Sequence, residues 1–76
     1  MMRVIRIKYA DDDKLYNKTG LEEALQVSVR TFERYLLNDD LKNKAKYVGK
    51  LEVYLGSDVN KRIDEVLKSD KFVLVD

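Results

Sequence analysis

The sequence predicts one small α+β domain that combines about three helices with a β-hairpin and paired N- and C-terminal strands. Two patterns predict this class. Apolar residues recur at helical spacing within residues 17–37 and again after residue 57, whereas residues 3–9 and 44–55 alternate between apolar and polar side chains. A third observation is the length of 76 residues, which suits a single domain. We therefore predict one domain that spans residues 1–76.

Composition narrows the classes of function. The chain has neither cysteine nor histidine, so a disulfide framework is excluded and the common nucleophile–base pairs are missing. We therefore expect no enzymatic activity, no metal site and no cofactor. Charged residues make up 38% of the chain, yet the net charge is only +1, so only a local basic patch could favour nucleic acid.

The location is expected to be cytoplasmic. The absence of cysteine is compatible with a reducing compartment. The longest apolar runs are only a few residues, too short to cross a bilayer, so we expect no membrane partner.

The terminal strands are predicted from alternation. Ile5, Ile7 and Tyr9 share one face of the strand at 3–9, and the apolar strand at 71–76 needs a partner. That partner is either the N-terminal strand of the same chain or a strand of a second copy. The three aspartates at 11–13 are interpreted as a solvated acidic loop rather than a metal site.

The first helix follows this loop, with Leu21, Ala24 and Leu25 on one face. Two caps compete for its start, either Asn17 alone or a capping box of Thr19 with Glu22. One of the two preceding residues, Leu15 or Tyr16, is expected to pack down on the helix.

The second helix is predicted from Ser28 or Val29 to Leu37. Ser28 is its cap, and Phe32, Tyr35 and Leu36 form its apolar stripe. The turn formers at 38–40 are expected to end it. The lysines at 42, 44 and 46 then occur at every second position, which in an extended chain puts them on one face.

The hairpin is predicted at 44–55, with Gly49-Lys50 as a two-residue type II′ loop. On its return strand Leu51, Val53 and Leu55 alternate with Glu52 and Tyr54. Ser57 is expected to cap a further helix, and the core stripe of that helix consists of Val59, Ile63, Val66 and Leu67.

Residues 21–32, LEEALQVSVRTF, resemble the helix-turn-helix pattern Leu-Ala-x-x-Leu-Gly-Val-Ser-x-x-Thr-apolar. Glu22 replaces the small residue of the pattern, and Gln26 replaces the turn glycine. Gln26 must then adopt the turn backbone at some strain, and Glu22 must lean towards solvent. The alternative is a plain helical hairpin that binds no nucleic acid.

With the hairpin and the next helix, residues 15–68 resemble the small winged helix-turn-helix proteins of the excisionase and MerR-like group. Val48-Gly49-Lys50 matches the wing, and Ser57-Asp58-Val59 matches the cap of the following helix. The resemblance implies binding to double-stranded DNA in the control of recombination or transcription, often on phages and other mobile elements. The two terminal strands lie outside this pattern.

The second helix carries the predicted base contacts. Arg30 and Arg34 are four positions apart, opposite the apolar stripe, and arginine can bond guanine with two hydrogen bonds. Glu33 either accepts from a cytosine amino group or pairs with a neighbouring basic residue. Lysines suit backbone phosphates. The full predicted set is Ser28, Val29, Arg30, Thr31, Glu33, Arg34, Lys42, Lys44, Lys46 and Lys50.

The predicted patch is modest. Residues 28–50 contain six basic and three acidic residues, which suggests weak binding by one copy, on the order of 10⁻⁴–10⁻⁶ M. Specificity would then need several copies side by side, a homodimer, or a protein partner such as an integrase. The alternative function is a small protein-binding adaptor or inhibitor that uses the same fold as a scaffold, its charged residues forming a solvated face.

Overall fold

Two small sheets and four helices make up residues 4–75, the part of the chain that the computed structural model describes. The strands are β1 (Ile5–Ile7), β2 (Leu15–Tyr16), β3 (Lys46–Val48), β4 (Leu51–Leu55) and β5 (Phe72–Leu74). The helices are α1 (Lys18–Leu25), α2 (Val29–Thr31), α3 (Asp39–Lys44) and α4 (Gly56–Val66). A π-helical segment, Phe32–Leu36, continues α2 without a break, and together they are called the second helix.

The terminal strands pair within one chain, as one of the two predicted alternatives. β1 and β5 are parallel, with Ile5 opposite Phe72 and Ile7 opposite Leu74. Ile7 and Phe72 are buried, so the inner face of this sheet joins the core. The strand is shorter than predicted, because Tyr9 lies beyond it and donates a hydrogen bond to Asp64. The predicted ends Arg3 and Asp76 lie outside the described residues.

The second sheet is antiparallel, in the order β2–β4–β3. β2 was not predicted as a strand, and it pairs Leu15 with Leu55 and Tyr16 with Tyr54. Tyr16 packs against the core while Leu15 remains exposed, which identifies Tyr16 as the residue that packs ahead of α1. The hairpin is therefore joined to the segment that leads into the first helix.

The loop of the hairpin has the predicted form. Val48 pairs with Leu51, so Gly49 and Lys50 form a two-residue loop. Gly49 has φ of 64°, and Lys50 has no positive φ, as a type II′ turn requires. Both faces of β4 carry a buried side chain. Val53 is buried on one face, and on the other Tyr54 is only 1% exposed and meets Phe32 edge-on at 5.6 Å between ring centroids.

A helix lies where the sequence predicted a turn and an extended lysine row. The Asn38 side chain accepts the Leu41 N–H at 2.9 Å and caps α3, and Leu41 is buried beneath it. Asp39 and Asp40 suit the positive end of this helix. The hairpin consequently begins at Lys46 rather than at residue 44.

The start of α4 also differs from the prediction. Ser57 is not its cap; the helix begins at Gly56 and has no side-chain cap. Instead, Gly56 N–H donates to the Lys14 carbonyl at 2.8 Å and Ser57 N–H to the Asp12 carbonyl at 3.3 Å. The acidic loop lies so close that a Cβ on Gly56 would be 1.8 Å from the Asp11 carbonyl oxygen. Glycine is required there by close approach.

The core lies between the helices and the inner faces of both sheets. Its fully buried side chains are Ile7, Leu21, Leu25, Phe32, Leu36, Tyr54, Val59 and Ile63. The predicted helical stripes are thus confirmed, with Tyr35 and Leu67 packed at the margin. In residues 4–75 we find no helix with the length and apolar character needed to span a membrane.

Candidate nucleic-acid interface

Two short helices meet at a turn in which Gln26 has a left-handed backbone, with φ of 61° and ψ of 33°. Asn17 caps the first of them by accepting the Gly20 N–H at 2.7 Å, which decides between the two predicted caps. Ser28 caps the second by accepting the Thr31 N–H at 3.1 Å. The predicted strain at Gln26 is therefore present, and the helix pair forms as the spacing indicated.

Glu22 caps the second helix, a role that the helix-turn-helix pattern did not predict. Its side chain is exposed, and one carboxylate oxygen accepts the Val29 N–H at 3.1 Å. A carboxylate at the positive end of a helix is favourable. Glu22 on α1 therefore adds a second cap to the start of the second helix.

The other end of the second helix is held by Arg62 from α4. Its Nε donates to the Leu36 carbonyl at 2.8 Å, and a terminal nitrogen donates to the Tyr35 carbonyl at 3.2 Å. A positive charge suits the carbonyl end of a helix, where the last oxygens have no partner in the helix. The second helix is thus held at both ends, and Phe32 and Leu36 bury its inner face.

Arg30 and Arg34 lie on the exposed side of this helix. Among the described residues, neither guanidinium lies within 4.0 Å of a carboxylate. Both line a cleft of about 690 Å³, together with Thr31 and Tyr35 on one side and Ile5 and residues 69–71 on the other. The predicted arginine pair is therefore available for an anionic ligand.

Lys71 also lines this cleft, although its position in the sequence did not predict that it would lie near Arg30 and Arg34. Its ammonium lies 5.5 Å from the centroid of the Tyr35 ring, and the Arg34 guanidinium carbon lies 5.9 Å from the same centroid. The Tyr35 ring in turn meets Phe72 edge-on at 5.8 Å. Only the packing of the C-terminal strand beside the second helix brings these groups together.

Glu33 is engaged within the protein. It forms an ion pair with Lys18 at 2.8 Å, the second of the two predicted alternatives. The hydrogen bond from the ammonium to Glu33 raises the pKa of Lys18. This pair joins the second helix to the first turn of α1.

The lysines at 42, 44 and 46 do not form the predicted row, because Lys42 and Lys44 lie in α3 and not in an extended chain. In a helix, residues two apart point in nearly opposite directions, so Lys42 and Lys44 separate. Lys44 pairs with Asp40 at 3.3 Å and faces a depression beside α4, whereas the charge of Lys42 acts on Glu52 of the hairpin. Lys46 and Lys50 are exposed on the hairpin.

The Glu52 carboxylate links two tyrosines of the hairpin. It accepts hydrogen bonds from the Tyr54 hydroxyl and, at 3.0 Å, from the Tyr47 hydroxyl directly across the strand pair. The hydrogen bond from Tyr54 is the largest cause that lowers the pKa of Glu52, followed by that from Tyr47. Burial and this carboxylate raise the pKa of Tyr54. The hairpin is thereby attached through Tyr54 to the core beneath the second helix.

Comparisons of the sequence with protein-family models and with curated proteins, and of the structure with solved structures, found no significant match. Function is therefore inferred from three features described above: the second helix, the cleft beside it and the hairpin.

Proposed function

We propose that this chain is a small winged helix-turn-helix protein that binds double-stranded DNA. The observation that carries the proposal is the pair Arg30 and Arg34, exposed and free of carboxylate partners among the described residues. They lie on a helix held at both ends by Glu22 and Arg62. In the major groove, such a pair can reach the O6 and N7 atoms of guanine.

The hairpin supplies the wing in this proposal. Although α3 separates it from the second helix, β4 pairs with β2, which leads directly into α1. This pairing fixes the hairpin relative to the helix pair, so its exposed Lys46 and Lys50 can contact phosphates. Lys44, paired with Asp40, is the weakest candidate of the lysine set.

The biological role we propose is that of an excisionase-like recombination directionality factor or a transcriptional regulator of a phage or other mobile element. The protein would occupy or bend DNA and perform no chemistry. The modest positive excess of residues 28–50 favours a cooperative array, a homodimer or an integrase-like partner over a single isolated copy.

A selection from random duplexes, followed by affinity measurements, tests the proposal. We expect Arg30→Ala and Arg34→Ala each to weaken binding to the selected site by roughly 5- to 150-fold, about 1–3 kcal/mol, and to relax the base preference at one position. Lys61→Ala removes an equal charge from the exposed side of α4 and serves as the control. The proposal is contradicted if the wild type does not bind DNA at low salt, or if its affinity for DNA does not change with salt concentration.

A protein-binding adaptor is the second candidate. The observation that favours it is the exposed apolar surface of the three-stranded sheet, where Val48 is 62% and Leu51 50% exposed. The double variant Arg30→Ala/Arg34→Ala separates the two candidates in vivo. Loss of activity supports DNA binding, whereas full activity supports a protein partner.

A further inference from the structure

We propose that the cleft between the second helix and the turn at 69–71 receives one sugar-phosphate strand of the duplex, with Lys71 as a phosphate contact. The inference rests on the proposed DNA-binding function. It extends the interface to a segment that lies at the opposite end of the sequence from β1 and outside the predicted contact set.

The charge of the cleft favours an anion. Within the part of the chain that the structure describes, Arg30, Arg34 and Lys71 line it against a single carboxylate, Asp70. None of the three cations has a carboxylate within 4.0 Å among residues 4–75. Cations that converge on one concave surface repel one another and attract an anion placed between them.

The backbone of Lys71 is fixed before any ligand arrives. Its carbonyl accepts the Ile5 N–H at 2.7 Å, and its own N–H donates to the Ser69 hydroxyl at 3.4 Å. That hydroxyl also donates to the Val66 carbonyl at the end of α4, at 2.8 Å. A preorganised contact loses little conformational freedom on binding.

The size and lining of the cleft favour a nucleic-acid strand over an isolated small anion. A volume of about 690 Å³ falls in the range of pockets that hold drug-sized ligands, so one phosphate would leave most of it empty. Ile5 and Tyr35 contribute apolar surface to its two sides, against which a deoxyribose can pack. Arg30 and Arg34 belong both to this cleft and to the proposed groove-facing side of the second helix, so a strand flanking the groove would cross it.

The test compares wild type, Lys71→Gln and Lys68→Gln in duplex binding between 50 and 200 mM salt. Lys68 is exposed, carries the same charge three residues earlier and does not line the cleft, so it is a matched control. Losing one phosphate contact should reduce the slope of log affinity against log salt by about 0.9. Wild type should then lose roughly threefold more affinity than Lys71→Gln over this range, and Lys68→Gln should follow the wild type.

Three other results would overturn the inference, and each has a different meaning. Equal effects of both substitutions indicate general charge attraction. If neither substitution has an effect while Arg30→Ala weakens binding, DNA binding stands and the cleft contact is wrong. If the wild type fails to bind at low salt, both proposals fail.

A competition experiment distinguishes a strand from a small anion. Inorganic phosphate and a deoxynucleoside monophosphate are added at constant ionic strength to preformed complexes. No displacement is expected. If either compound displaces DNA from the wild type but not from Lys71→Gln, the cleft is a small-anion site and the strand contact is overturned.

Discussion

Gln26 combines a strained backbone with a position that determines the angle between two helices. A residue with a Cβ in the left-handed region loses roughly 1–2 kcal/mol relative to the right-handed helix, whereas glycine does not. Gln26 compensates in part, because its side-chain nitrogen donates to the Glu23 carbonyl at 2.6 Å and its N–H to the Glu22 carbonyl at 3.0 Å. These two hydrogen bonds to the end of α1 offset part of the strain and hold the turn in the left-handed conformation.

This strain leads to a prediction for Gln26→Gly measured against Gln26→Ala. Neither variant has the side-chain hydrogen bond, so the comparison isolates the backbone. We expect the glycine variant to have a free energy of unfolding about 1 kcal/mol greater than that of the alanine variant in urea denaturation. The relief of backbone strain in the folded state should outweigh the larger conformational entropy that glycine gives to the unfolded chain. An alanine variant of equal or greater stability would contradict the left-handed assignment.

At the scale of an element, the second helix depends on a contact from outside its own sequence. Arg62 bonds the carbonyls of Tyr35 and Leu36, which a helix leaves without partners at its end. The same guanidinium lies 3.4 Å from Glu65. The orientation of the proposed recognition helix is thus set by α4.

Removing this contact should destabilise the domain. For Arg62→Met, which keeps an aliphatic stem, we expect a loss of about 1.5–3 kcal/mol, the range for hydrogen bonds to charged groups. Lys61→Met at the exposed neighbouring position should change stability by less than about 0.5 kcal/mol. Chemical denaturation measures both; similar values for the two would show that Arg62 does not hold the helix.

The hairpin depends on the ionised form of Glu52. Its pKa in the folded protein lies below the ordinary value of 4.5 because Tyr54 and Tyr47 donate hydrogen bonds to the carboxylate. A lowered pKa contributes stability that is present above pH 4.5 and is lost as the pH falls through the folded value.

Glu52→Gln should therefore be less stable than wild type at pH 7, and the difference should shrink as the pH falls below 4.5. Glu23→Gln, which changes an exposed carboxylate on α1, serves as the control. Free energies of unfolding measured between pH 7 and pH 3 test this. A difference that stays constant or grows on acidification would contradict the role given to Glu52.

At the scale of the whole molecule, β1 pairs with β5, and this pairing brings the C-terminal strand beside the second helix. Phe72 is 5% exposed and contacts Tyr35, whereas its neighbour Val73 is 48% exposed on the outer face. A domain of this size has a small core, so each large buried side chain matters.

The two neighbours should respond differently to truncation. We expect Phe72→Ala to reduce the free energy of unfolding by about 3–5 kcal/mol through lost burial and a cavity, and Val73→Ala to change it by about 0.5 kcal/mol or less. Thermal and urea unfolding distinguish them. Equal effects would mean that the terminal strands do not share the core.

Local patterns predicted what depends on neighbours in sequence. The stripe of Phe32 and Leu36, the Ser28 cap and the Gly49-Lys50 loop follow from spacing and from turn chemistry. Predictions from local sequence were wrong where the same residues are typical of two different structures. The segment at 38–40 was assigned to a turn because its residues disfavour helix interiors, yet the same residues favour helix starts, and buried Leu41 decided for a helix.

The sequence alone determined the α+β class, the helix pair at 17–37 and the outward arginine pair, because periodicity, caps and turns act over a few residues. Tertiary structure alone decided that Lys71 lies beside Tyr35 in the cleft that Arg34 also lines, that Arg62 holds the second helix and that loop carbonyls replace a Ser57 cap. These contacts join residues far apart in the chain. Their positions follow from burial of the common core, which no local pattern specifies.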